Sequence, residues 1–294
     1  MNRAFQAVIG AVIVMLAGTS GGTGGARGSG YASSGVPVVV IVMENKPYKA
    51  IIGSTHAPFI NGTMIAHGVL DTNYIAAPGS LPDYLMMVSG KSAPRASAPN
   101  LFAALGTSTS WREFEESMPS VCYSGSGYGV VHGTSVPLYT KTHNPAMQFT
   151  SVSSTSLCKK VVPLTPTYFN SSALPAFSFV VPNECNDMHT LPTNDQCPTW
   201  NGGSNTTSSE IQMGDNWLAS FVPAIAKTAT VILTWDEGSS TDEQVVTVAY
   251  GAGVRQGHDG TAYTHASLEA GLYSYFALGK APGAGRNAKQ LPIP

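Results

Sequence analysis

The run Pro37–Met43, P-V-V-V-I-V-M, sets the strongest limit on what this chain can fold into. It is short, dominated by β-branched residues, and a turn-rich segment follows it. Such a run predicts a strand covered on both faces, as in a parallel sheet. Val69–Tyr74, Phe177–Val181, Thr230–Trp235 and Val245–Tyr250 are similar short apolar runs and read as further strands. Between them, Pro58–His67, Leu81–Val88, Ala98–Leu105, Met213–Lys227 and Ser267–Leu278 read as helices, with Pro223 expected to kink or stop the fourth. Strands alternating with helices predict an α/β fold, a doubly wound, mostly parallel sheet flanked by helices. The stretch Ser120–Ser172 is aperiodic and reads as a loop-rich insertion.

With 294 residues and 43% apolar content the chain can bury a sizeable core, which excludes whole-chain disorder. Only 11% of residues are charged and the net charge is -2. No basic footprint for nucleic acid is present, and no polybasic membrane surface. Nothing in the sequence implies a stable protein partner.

Arg3 followed by the apolar run Ala7–Ala17 reads as a secretory signal over residues 1–20, since the run is short for a membrane anchor. Residues 21–35 are rich in Gly and Ser and read as a flexible linker, and 36–294 as one domain. Four cysteines in an exported chain imply two disulfides. Of three possible connectivities, the sequence-local one, Cys122 with Cys158 and Cys185 with Cys197, is expected. No C-x-x-C pair or zinc-finger spacing is present.

Ligands of open parallel sheets bind beyond the carboxyl ends of the strands. Glu44 and Asn45 follow the first strand. Asn183, Asn186, Asp187 and His189 follow the third, and Asp236 and Glu237 the fourth. His258, Asp259 and His265 follow the last. One such residue alone is ordinarily a helix cap or a loop carboxylate. The whole set predicts a site for at least one divalent cation, because oxygen donors mixed with imidazole suit such ions. Ser80, in A-P-G-S-L-P-D-Y, stands at a turn opening a helix, either as a plain N-cap or as an exposed hydroxyl at an anion-binding helix start. The G-x-S-x-G elbow of a hydrolase triad is absent there. Lys141 and His143 in K-T-H-N-P read either as a solvated loop or as phosphate ligands.

Nine segments, in order from Val38 to about Leu268, resemble the phosphoesterase family of secreted acid phosphatases and phospholipases C in the alkaline phosphatase superfamily. They are V-V-V-I-V-M-E-N-K-P-Y, A-P-F-I-N, S-L-P-D-Y-L, W-R-E-F-E-E-S-M-P, K-T-H-N-P, V-P-N-E-C-N-D-M-H, G-D-N-W-L, T-W-D-E-G, and Y-G-A-G-V-R with Y-T-H-A-S-L. The resemblance implies a fold of the alkaline-phosphatase kind. It makes Glu44, Asn45, Ser80, Asp236 and Glu237 metal ligands, Ser80 also the nucleophile, and His265 and His189 catalytic. Asn45, Asp83, His143 and Asp187 become contacts to substrate phosphate. Three departures are read. Thr142 is inserted between Lys141 and His143, Asp83 stands where the family usually has Asn, and the last helix, over Leu268–Tyr273, is read as without the family's acidic residue.

The implied activity is metal-dependent hydrolysis of phosphate monoesters through a phosphoserine. Small phosphate esters or phospholipid and phosphoinositide headgroups would be the substrates. Phospholipase C action on a phosphodiester is the alternative, and a non-catalytic secreted binding protein the third reading.

Overall fold

The computed structural model describes residues 35–131, 134–189, 197 and 206–294. The expected signal segment and, but for residue 35, the linker lie outside the described residues. The strands are β1 (Val38–Met43), β2 (Val69–Asp71), β3 (Trp111–Glu115), β4 (Gly127–Val131), β5 (Thr134–Thr140), β6 (Val161–Pro163), β7 (Phe177–Val181), β8 (Thr230–Trp235), β9 (Thr247–Gly251) and β10 (Gly257–Asp259). The α-helices are α1 (Tyr48–Ile51), α2 (Ser80–Ser89), α3 (Leu101–Leu105), α4 (Thr150–Ser153), α5 (Thr207–Ile225) and α6 (His265–Tyr275). Eight strands form one sheet in the order β10-β2-β9-β8-β1-β7-β3-β6, while β4 and β5 form a separate hairpin.

The sheet is mostly parallel, as the apolar runs predict. β1 is fully buried and lies between β7 and β8, parallel to both. β3 continues the parallel order from β7 to β6. β9 breaks it, running antiparallel to β8 and β2. The carboxyl ends of β8, β1, β7 and β3 therefore open along one sheet edge, with Met43 level with Trp235. Every residue that follows these strands is delivered to that edge.

Several sequence expectations are corrected. The segment 120–172 is not simply a loop, for it contains the hairpin and the edge strand β6. W-R-E-F-E, to which the sequence reading gives no element, forms a strand whose Glu113 and Glu115 are buried. The second strand stops at Asp71, and Tyr74 makes only a single bridge, to Tyr263. Helix α5 starts at Thr207, well before Met213, because Thr206 and Ser209 form a capping box. Pro223 falls in its last turn, and the helix ends at Ile225. The 58–67 helix takes π-helical form over Ile60–Ile65, and the Asp215 carboxylate accepts the amides of Phe59 and Ile60 near its start. The disulfides are Cys122–Cys158 and Cys185–Cys197, the sequence-local pairing. Among the described residues no helix is long and apolar enough to cross a membrane.

Candidate active site

The first elements of the site are adjacent strand ends. Because β1 and β8 pair in register, the amide of Asp236 donates to the carbonyl of Met43 at 2.9 Å and the chain then diverges. Asn45 adopts a left-handed backbone, φ 43°, which an Asn tolerates better than most residues. That turn lets its amide donate to Asp236 Oδ1 (3.1 Å) and its Nδ2 to Glu237 Oε1 (3.1 Å). The amide of Glu44 donates to the carbonyl of Asp187 at 2.7 Å, which locks the segment after β7 against the end of β1. Met188, also left-handed with φ 76°, turns the chain so that the His189 amide donates to Asp187 Oδ1 at 2.8 Å.

Ser80 does not cap its helix. Gly79 is the N-cap of α2, with φ 107°, and its amide donates to Glu237 Oε2 at 2.7 Å. Ser80 occupies the first helical position, and its Oγ lies 3.2 Å from both Glu44 Oε2 and Glu237 Oε1. Its single proton is thus shared between two carboxylates. Pro82 suits the first turn, where its missing N–H leaves no intrahelical bond unmade.

A second group assembles beside the first. His143 is buried, stacked on Tyr84, with Nε2 3.3 Å from Glu44 Oε1 and Nδ1 3.5 Å from Glu184 Oε1. The inserted Thr142 is taken up in a 3-10 turn, Lys141–His143. The ligand atoms of His143, Glu184 and Asp187 all lie within 4.8 Å of one another. His189, its side chain 34% exposed, brings Nδ1 to 4.0 Å from Glu184 Oε2. On the opposite flank His265 is held at both ring nitrogens, Nδ1 by the Tyr74 hydroxyl at 3.1 Å and Nε2 by the carbonyl of Asp236. Asp83 lies one turn beyond Ser80 with Oδ1 3.8 Å from His265 Nε2.

So many acids in one buried place repel one another. Burial first, then the charges of Asp236 and Asp187, push the Glu44 carboxyl well up. Burial and Glu184 raise Asp187. Glu184 is pushed up to about 7 by burial and Asp236, and Asp236 to about 6 by burial. Asp83 rises to about 8, again through burial and then Asp236. Burial lowers His143 to about 3 and His265 to about 4, so both rings are neutral. Glu44 Oε1, Asn45 Oδ1, Asp83 Oδ2, Asp187 Oδ2 and Asp236 Oδ2 are buried and meet no aligned donor. Buried acceptors without donors are costly. Carboxylate, amide and imidazole donors converging in this way fit a divalent cation.

The sequence-derived residues Glu44, Asn45, Ser80, Asp83, His143, Asp187, His189, Asp236, Glu237 and His265 come from separate segments and converge here. Others do not join them. His258 and Asp259 sit on the edge strand β10, where Asp259 accepts from the Thr261 amide and the Tyr263 hydroxyl. Asn183 and Asn186 bond to Ser117 and Glu116 instead. Glu184 is the member that sequence reading missed. It stands in the same post-strand segment as Asp187, and that position was its signal. Glu269 on α6 overturns the reading of Leu268–Tyr273 as without an acidic residue. It is buried with both carboxyl oxygens unpartnered and is pushed up to about 9 by burial.

The mostly parallel sheet, with a serine-bearing helix start set against an acidic, imidazole-containing cluster, has the layout of an alkaline-phosphatase-like fold. The comparisons agree. The chain is 30% identical to a phosphatidylinositol-3-phosphatase of Mycobacterium tuberculosis, over 95% of this chain and 91% of that protein. It is 26% identical to a phosphate-repressible acid phosphatase of Penicillium chrysogenum over 74% of this chain, and spans about half of that protein's length (54%). In structure it is similar to an alkaline phosphatase superfamily protein from Vibrio parahaemolyticus, with a TM-score of 0.55 and 10% identity, over 82% of this chain and 66% of that one. No family model matches the chain. The protein belongs to the same phosphoesterase family as the phosphatidylinositol-3-phosphatase and acid phosphatases it matches, and its fold is of the alkaline-phosphatase-like kind.

Proposed function

We propose that the chain is a secreted, metal-dependent phosphatase that hydrolyses phosphate monoesters through a phosphoserine at Ser80. The observation that carries this reading is the Ser80 hydroxyl, placed at the start of α2 within 3.2 Å of Glu44 and Glu237, inside a cluster of donor-poor buried oxygens. Glu44, Asn45, Ser80, Asp236 and Glu237 would hold one cation, and His143, Glu184 and Asp187 form a second candidate set. A bound divalent ion would supply charge neutralisation for the phosphate and a lower pKa for the serine hydroxyl.

The chain's own groups do the rest. Glu44 or Glu237 accepts the Ser80 proton, being already within hydrogen-bond reach. The Oγ attacks phosphorus in line, the Oγ–P bond forms and the P–O bond to the alcohol breaks. The first amides of α2 and the Asn45 side chain face the equatorial oxygens. His189, whose ring is partly exposed beside Glu184, protonates the leaving oxygen. His265 instead orients Asp236 and neighbours Asp83. Water then cleaves the phosphoserine and returns the proton to Ser80.

The mycobacterial relative's name describes a monoesterase acting on a lipid headgroup, which favours a monoester over a diester and extends the substrate class to phosphoinositides. The disulfides and the apolar segment Ala7–Ala17 support secretion, with residues 36–294 as the catalytic domain. The test is a phosphate-release panel with and without chelator. p-Nitrophenyl phosphate and phosphatidylinositol 3-phosphate should be hydrolysed and chelation should abolish turnover. Release of phosphocholine from phosphatidylcholine, with no monoester turnover, would instead establish the phospholipase C reading.

A further inference from the structure

The segment W-R-E-F-E-E supplies none of the cluster, yet it is among those that mark the family, and it carries two acids within a buried strand, which should be apolar, and a third just past it. Their bonds explain the cost. The Glu113 carboxylate accepts the amide of Ala146 (3.2 Å to Oε2), three residues beyond His143. Glu115, on the same face of β3, forms an acid–carboxylate pair with Glu113. Just past the strand, Glu116 Oε2 accepts the amide of Asn183 at 2.9 Å, and both its oxygens lie 3.0 Å from Asn186 Nδ2. Asn183 and Asn186 bracket Glu184, and Asn186 immediately precedes Asp187. The Asn183 Oδ1 in turn accepts the amides of Cys185 (3.0 Å) and Asn186 (3.2 Å), so the bracket is rigid.

We infer that Glu113 and Glu116 are positioning residues, which hold the His143 loop and the Glu184–Asp187 loop at the separation their ligand atoms need to bind one cation. β3 thereby builds half of the site without touching reactants. The strand is parallel to β7, so Glu116 lies beside the end of β7, with its own amide donating to Val181 at 3.0 Å. No other described side chain bonds to both ends of the Asn183–Asn186 bracket. Residues that orient metal ligands in this way typically contribute 10–100-fold to metal affinity or activity.

The inference rests on the cluster being a cation site, so the test separates the two. Glu116 borders an open cavity of about 460 Å³ lined also by Phe169, Trp217 and Phe221, so water can replace its oxygens if it is truncated. Zn²⁺ and Mn²⁺ are titrated separately by calorimetry into the metal-free wild-type chain, Glu116→Ala and Glu116→Gln, with melting temperatures recorded beside each. The expected result is about 10–100-fold weaker cation binding in Glu116→Ala and partial recovery in Glu116→Gln, which keeps one acceptor. A folded Glu116→Ala with wild-type cation affinity, whatever its melting temperature, overturns the inference, since a merely structural role predicts that. If Glu116→Ala does not fold, Glu116→Gln with unchanged affinity does the same. A wild-type chain that binds neither ion overturns the cluster's reading together with this one and is thereby recognisable.

Discussion

Replacing Asp83 by Asn asks whether the carboxyl one turn beyond Ser80 works in its protonated form. Asp83 is 1% exposed, its Oδ2 has no donor, and burial with the charge of Asp236 raises it from 3.8 to about 8. The native state therefore binds this proton more tightly than the unfolded chain. The stabilisation is fully present below the unfolded value, about pH 4, and is lost as pH rises through about 8. A shift of roughly four units at ~1.4 kcal/mol each gives an upper bound of about 5–6 kcal/mol. A cation neutralising Asp236 would reduce it. Asn fills the same space without titrating. In chelator, the stability of Asp83→Asn relative to wild type should rise between about pH 5 and 8, by up to ~1.4 kcal/mol per pH unit. Urea unfolding across that range measures it. In the metal-loaded enzyme, the alkaline limb of kcat/KM should move to higher pH. Parallel stability curves with superimposable pH–rate profiles would refute the reasoning and leave Asp83 as a packing residue.

Four further perturbations bear on the site's frame. Removing the Cys185–Cys197 bridge with paired serines, which opens a loop of 12-residue separation next to Glu184, should cost about 2–3 kcal/mol in urea unfolding and lower turnover as well. Glu44→Ala and Glu184→Ala should each lower bound metal per chain by elemental analysis, because ligands act together; full occupancy in either removes that residue from the ligand set. Glu210→Gln strands the buried Lys46 ammonium, now paired at 3.0 Å, and should destabilise the protein by about 3 kcal/mol; a neutral effect would show that Lys46 reaches water.

The central strands were legible because burial on both faces leaves an unbroken apolar signature, as in V-V-V-I-V-M and T-V-I-L-T-W. The acids that follow them were legible by the same logic, since a parallel sheet sends every strand end to one edge. β3 was not, because its Glu113 and Glu115 are buried by pairing with each other and with the Ala146 amide, a tertiary arrangement that local polarity contradicts. The direction of β9 was hidden too, for an apolar run carries no sign of parallel or antiparallel pairing. Ser80 was correctly placed at a helix start, but only the fold shows that Gly79 takes the cap and frees the hydroxyl for Glu44 and Glu237. His258 and Asp259 looked like ligands because they follow a strand-like run, yet β10 continues the sheet and carries them to its far edge.

The account stands or falls on the covalent intermediate at Ser80. Wild-type enzyme mixed with phosphate-labelled substrate is quenched in acid within one turnover and mapped by peptide mass spectrometry. The label should appear on the peptide containing Ser80, at that residue, and should be absent from Ser80→Ala, whose turnover should fall by about a thousandfold or more while its fold is kept. Label on another side chain, or near-normal turnover in Ser80→Ala, would contradict it.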